Sequence, residues 1–272
     1  MRRQEVLLIK VASSIALMVL ACAIGVGGCR SMIFHPAPNE PALRQRYESH
    51  RFEIASHGQR IEGWWIENPG ARSDWVVLYF GGNAEDVLYT AGSIGKLNAR
   101  VVLFSNYRGY GRSTGKAGER ALYDDGLALY EYATSRGVHA DRVVVMGRSL
   151  GSGVAAMIAG SRKVRGAVLI SPYDSISSVA KEMYPRFAVS LLIGDSFFPS
   201  VDWARKARAP ALLLAGELDA LIPPLHAQRL SDAWAGKSTL HVLPSVGHNN
   251  ISQSPDYYPL INRFLDSEMG GS

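Results

Sequence analysis

A chain of 272 residues, 47% hydrophobic and 19% charged, is long enough to bury a full core without covalent staples. Its net charge of +5 does not mark a nucleic-acid binder. Arg2, Arg3, Lys10 and Arg30 against Glu5 supply most of the excess, and the body beyond residue 30 is close to neutral. The only cysteines, Cys22 and Cys29, leave that body without a disulfide framework or a thiolate metal site.

In chain order, a basic "MRRQEVLLIK" precedes the uncharged "VASSIALMVLACAIGVGG" (11–28). This is the n-region and h-region pattern of an export signal, and it reaches the lower length limit of a spanning helix. Two readings of residues 1–30 stand open. In one, "VGGC" (26–29) resembles the lipobox of bacterial lipoproteins, with Cys29 as the lipidated residue; "VLAC" (19–22) is a weaker match. In the other, the segment stays as a signal anchor. Both keep the basic flank cytoplasmic and put the body on the exported side, periplasmic or cell-surface.

Residues 31–50, with three prolines in "SMIFHPAPNEPA", read as an extended linker laid on the domain. The catalytic domain is expected over 51–268. "RFEIAS" (51–56), a turn at "HGQR" and "IEGWWIE" (61–67) alternate as a half-buried antiparallel hairpin. Six short apolar runs follow, at 75–80, 101–107, 142–147, 166–171, 211–216 and 239–244. Such runs suit strands buried on both faces of a parallel sheet. Helical patterns at 85–97, 120–136, 150–161, 224–235 and 255–267 separate most of them, which predicts a doubly wound α/β sheet. One connection is long: 173–203 carries the apolar, aromatic "RFAVSLLIGDSFFP" and reads as a small cap.

"RVVVMGRSLGSGVAAMIAG" is a strand, a turn and a helix of small residues. Gly147-Arg148-Ser149-Leu150-Gly151 fits G-x-S-x-G, the nucleophile elbow. A serine at the tip of so tight a turn needs neighbours without side chains, so that strand and helix approach. The helix then aims its first N–H groups at developing negative charge. Ser149 is therefore the candidate nucleophile, and Ser152, inside the helix, is structural.

A serine hydroxyl needs a base. The loop after the last strand, "VLPSVGHNN", supplies His248, whereas His241 lies in a strand and His226 in a helix. The acid should follow the preceding strand, where "AGELDALIPP" offers Asp219, with Glu217 as the alternative and Asp174 after an earlier strand as a weaker one. The oxyanion donors are assigned to the N–H groups of Leu150 and of Asn83 in "GGNAED" (81–86), with Gly81 and Gly82 giving close backbone approach. The chain order Ser149, Asp219, His248 is that of an α/β-hydrolase.

On these residues, with "NYRGYGRSTG" (106–115) and "GELDALIP", residues ~50–268 resemble α/β-hydrolase-fold serine hydrolases. The resemblance is to the esterase and serine aminopeptidase-like branch that includes membrane-associated palmitoyl-protein thioesterases. It departs where the family often has His-Gly: Gly81 occupies the His position. Tyr107, Arg108, Tyr110 and Arg112 read as a packed turn bordering the site.

The expected function is a membrane-tethered hydrolase of carboxylic esters or thioesters working through an acyl-enzyme. A peptidase or amidase with the same triad, and a non-catalytic lipoprotein binding module, are the alternatives. No cofactor, metal or nucleic-acid partner is called for. The N-terminus supplies the membrane contact, the acyl group is undefined, and no oligomeric state is assigned.

Overall fold

A computed structural model describes residues 33–267. β1 (Arg51–Ser56) and β2 (Gln59–Glu67) pair antiparallel across His57 and Gly58. Both turn residues have positive φ, 45° and 75°, the backbone a two-residue hairpin with right-handed strand twist requires. β2 pairs antiparallel with β4 (Val101–Ser105). β3 (Val76–Phe80), β5 (Val143–Arg148), β6 (Gly166–Ile170), β7 (Ala211–Gly216) and β8 (Ser238–Leu243) complete one sheet. Its order is β1-β2-β4-β3-β5-β6-β7-β8, and every pairing from β4 onward is parallel.

The period of two along each central strand sorts its side chains into two cores. Leu78, Phe80, Leu103, Val145 and Leu169 point to one face. There they meet α3 (Glu119–Ser135), α4 (Leu150–Ser161) and α8 (Pro224–Ala233). Val77, Tyr79, Phe104, Met146 and Ile170 point to the other, against α2 (Val87–Ala91) and α9 (Tyr257–Ser267). Burial on both faces explains why these strands read as continuous apolar runs.

Two expectations change. β8 is an edge strand and only partly buried, with Val242 47% exposed, because among the described residues nothing pairs beyond it. The helix expected over 85–97 is α2 followed by a 3₁₀ turn at Ile94–Lys96, interrupted at Gly92 where glycine does not hold a helix. From residue 33 onward the segment ahead of β1 packs against the domain. Phe34 is buried, α1 (Pro41–Arg46) starts on a proline suited to a first helical position, and Arg44 forms a buried ion pair with Glu62.

The long connection between β6 and β7 carries α5 (Ile176–Met183), α6 (Arg186–Leu192) and α7 (Ser200–Ala204). Among the described residues no helix is long and apolar enough to cross a membrane. Residues 1–30, including Cys22 and Cys29, lie outside the described residues.

Candidate active site

Ser149 stands between the end of β5 and the start of α4 with φ 50° and ψ −119°, a left-handed backbone that non-glycine residues adopt only under tertiary constraint. Its N–H donates to Ile170 O at 2.8 Å, which fixes the turn on the neighbouring strand. The glycines on either side are sterically required. A Cβ on Gly147 would lie 2.2 Å from Gly151 O, and one on Gly151 would lie 2.1 Å from Phe80 O. Ser152 is fully buried, and its hydroxyl donates to Ser149 O at 2.6 Å, so it braces the turn from inside the helix.

His248 Nε2 lies 2.9 Å from Ser149 Oγ, and His248 Nδ1 lies 2.8 Å from Asp219 Oδ2. The other Asp219 oxygen accepts from the N–H groups of Leu221 (3.0 Å) and Ile222 (2.8 Å). Burial pushes this carboxyl up. The hydrogen bonds from His248 and Ile222 outweigh that and hold it below the usual carboxylate range. An ionised Asp219 accepts from Nδ1–H, which leaves Nε2 free to accept the serine proton. Leu218 N–H donates to Val246 O at 2.9 Å and so joins the loop carrying the acid to the loop carrying the histidine.

The competing acids are engaged elsewhere. Glu217 is exposed and accepts from Ser245 N–H at 3.0 Å. Asp174 lies 2.7 Å from Nδ1 of His226, which is fully buried. His241 sits half-buried on the edge strand β8.

The glycine-rich loop after β3 lies against the nucleophile: a Cβ on Gly82 would be 3.6 Å from Ser149 Cβ. Leu150 opens α4 directly after Ser149, and Asn83 follows Gly82, which places the two expected oxyanion donors on the segments that meet at the elbow. The Asn83 side chain is held from three directions. Its Nδ2 donates to Ile33 O (2.6 Å), and its Oδ1 accepts from His35 N–H (2.8 Å) and Tyr110 Oη (2.7 Å). Tyr107 Oη donates to Gly81 O at 2.9 Å. Burial pushes the Tyr110 phenol up to about 12, so it remains a donor. Arg108 is clamped by Asp125, and Arg112 is exposed, so "NYRGYG" is a packed turn that supports the loop.

Sequence reasoning missed a network that joins these loops. Glu85 Oε2 accepts from Gly82 N–H (2.7 Å) and from Arg148 Nη1 (3.2 Å), while Arg148 Nη2 donates to His248 O (3.1 Å). Tyr79 and Thr90 hydroxyls occupy the other Glu85 oxygen. The local signal was Glu85 three residues after Gly82. Nothing local pairs it with Arg148, 63 positions away. Among the described residues no group of three or more His, Cys, Asp or Glu is arranged to hold a metal ion.

The serine hydrolase family model matches residues 131–267, which spans the elbow, Asp219 and His248. An uncharacterized protein of Mycobacterium tuberculosis, Rv2307c, is 34% identical over 197 residues, covering 71% of this chain and 69% of that one.

The chain belongs to the serine hydrolase family. It is an enzyme of that class.

This serine hydrolase is also 30% identical to Schizosaccharomyces pombe protein bem46 over 215 residues, covering 73% and 69% of the two chains. Its structure is similar to that of the Pyrococcus furiosus esterase Pf2001, with TM-score 0.68, 20% identity and coverage of 87% and 100%. It is also similar to Est1E from Butyrivibrio proteoclasticus with ferulic acid bound, with TM-score 0.63, 15% identity and coverage of 81% and 100%. These likenesses establish the α/β-hydrolase fold.

Proposed function

We propose that this serine hydrolase cleaves carboxylic esters or thioesters through Ser149, His248 and Asp219, tethered to a membrane by residues 1–30 with its body on the exported side. The reading is carried by the unbroken hydrogen-bond path from Ser149 Oγ through His248 to Asp219, at 2.9 and 2.8 Å. Ser149 Oγ attacks the acyl carbon as its proton passes to His248 Nε2. The carbonyl oxygen takes the negative charge and accepts from Leu150 N–H and Asn83 N–H. Collapse expels the alkoxide or thiolate, which takes the proton from His248 and leaves an acyl group on Ser149. A water molecule, deprotonated by His248, then releases the acid. One structural neighbour, Pf2001, is an esterase by name, which supports the ester reading.

A fluorophosphonate probe tests the nucleophile: wild type should label and Ser149→Ala should not. Equal labelling overturns the assignment. Higher turnover of aminoacyl-nitroanilides than of aryl esters would reverse the ranking toward an amidase. Incorporation of an alkyne fatty acid into wild type but not into Cys29→Ser would support lipidation, and no incorporation into either would support an uncleaved anchor.

A further inference from the structure

Among the described residues nine large apolar side chains stand exposed, and seven of them fall in two segments beside the candidate site. Met183, Tyr184, Phe187 and Leu191, between 50% and 63% exposed, lie on α5, α6 and the link between them. Leu218, Leu221 and Leu225, between 47% and 63% exposed, flank Asp219. The two segments that carry them meet. Nε2 of His226, next to Leu225, lies 3.2 Å from Oε2 of Glu182, next to Met183. Both segments leave the sheet at the carboxyl ends of parallel strands, β6 and β7, the edge at which Ser149 also stands.

Helix α6 is apolar on both sides. Val189 faces the core, 5% exposed, while Phe187 and Leu191, four apart, face outward. A surface helix normally turns polar residues outward, and a contiguous exposed apolar patch marks a surface meant to be covered. Charge does not specify the cover: across 176–199 Lys181 and Arg186 balance Glu182 and Asp195, and Lys181 is paired with Asp195 at 2.5 Å.

The path of the chain identifies the cover. The uncharged apolar run ends at residue 28, five positions before Ile33, whose carbonyl holds Asn83. Five extended residues span at most about 18 Å. The next residue, Phe34, packs on Phe197 and Phe198 at the end of the insertion, with ring centroids 6.5 and 6.2 Å away. On the membrane-tethered reading, a bilayer holding residues 11–28 lies within a short reach of the candidate site and of the insertion.

We propose that the apolar surface formed by α5, α6 and the loop around Asp219 docks on a lipid bilayer, so that the enzyme takes its acyl esters or thioesters from the membrane. The choice of cover rests on the membrane-tethered reading above. The patch then shields its apolar side chains in the acyl region, as an interfacial amphipathic helix does.

The test uses the full chain reconstituted in phosphatidylcholine vesicles that carry nitroxide-labelled lipid. A genetically encoded fluorescent amino acid replaces Phe187. A control places it at Glu131, 64% exposed and about 18 Å along α3 from Glu119, which accepts a hydrogen bond from Phe198 of the insertion. Quenching should be strong at 187 and weak at 131. Chains that float with the vesicles yet show equal quenching at both positions overturn the docking and leave the tether standing. Chains that do not float overturn the tether and the docking together. Self-association of chains through position 187 overturns it in favour of a second copy as the cover.

The double variant Phe187→Glu/Leu191→Glu provides a second readout. It should hydrolyse a vesicle-borne long-chain ester about tenfold more slowly than wild type while keeping short-chain soluble ester turnover. Equal loss on both substrates overturns the proposal.

Discussion

Arg148 Nη2 donates to the main-chain oxygen of His248 at 3.1 Å, so the residue before the candidate nucleophile holds the residue that carries the base. Through its other nitrogen the same guanidinium meets Glu85, which in turn accepts from Gly82 N–H. One partly buried ion pair therefore sets the mutual position of elbow, glycine-rich loop and histidine loop. Burial disfavours the Arg148 charge, and the Glu85 carboxylate more than offsets this, so the guanidinium stays ionised.

Arg148→Gln and Glu85→Gln should each lower kcat by about 10- to 100-fold with little change in KM, because small misplacements of reacting groups are costly while substrate contacts remain. Steady-state kinetics on a soluble ester checks this. Arg148→Lys should recover only part of the loss, since an ammonium cannot reach Glu85 and His248 O in the same fork.

Asn83→Ala should reduce kcat by about 10- to 100-fold through the backbone it holds, since loss of an oxyanion donor has effects of that order or larger. Tyr110→Phe removes one of the three hydrogen bonds and should cost less. Single-turnover acylation rates for the two variants test this ranking, and equal losses would place the main support in Tyr110 alone.

Asp219→Asn should lower kcat by about 10⁴-fold by favouring the wrong imidazole tautomer. A stability signature accompanies the change. The folded carboxyl is held below its unfolded value, so between the two the unfolded chain binds more protons and stability rises with pH. The contribution is present above an unfolded pKa of about 3.9 and is lost as pH falls through the lower folded value. The difference in Tm between wild type and Asp219→Asn should shrink on going from pH 6 to pH 3.

His226 shows the opposite sign. Burial pushes its imidazole down, but Asp174 at 2.7 Å on Nδ1 and Glu182 at 3.2 Å on Nε2 outweigh this and raise it. Arg229, 3.5 Å from both carboxylates, is a cation facing the same cluster. The folded chain then holds a proton that the unfolded chain releases first. The stabilisation is full below about pH 6.5 and is lost as pH rises through the folded value. His226→Gln should lower Tm by about 3–8 °C at pH 6. The deficit should narrow at pH 9, as thermal unfolding at the two pH values will reveal.

Much of the architecture was legible in the residues alone. Val76–Phe80, Val143–Arg148 and Ala211–Gly216 are apolar on both faces, and only a two-sided sheet buries such strands. The Gly147–Gly151 spacing was legible for the same kind of reason: its tight turn tolerates no Cβ at either end. Burial, alternation and backbone sterics are properties of neighbouring residues, and neighbours are what a sequence displays.

The choice among Asp219, Glu217 and Asp174 was different in kind. All three follow strands of the sheet, and local pattern ranks them without separating them. Their partners separate them: Asp219 turns to His248, Glu217 to Ser245 in the next loop, and Asp174 to His226. The bonds from Arg148 to His248 and from Asn83 to Ile33 were likewise beyond reach, as was the packing of Phe34 on Phe197. Each joins residues far apart in the chain, and their meeting depends on how the loops pack at one edge of the sheet. Side-chain direction at that edge is set by long-range contacts, which no local spacing encodes.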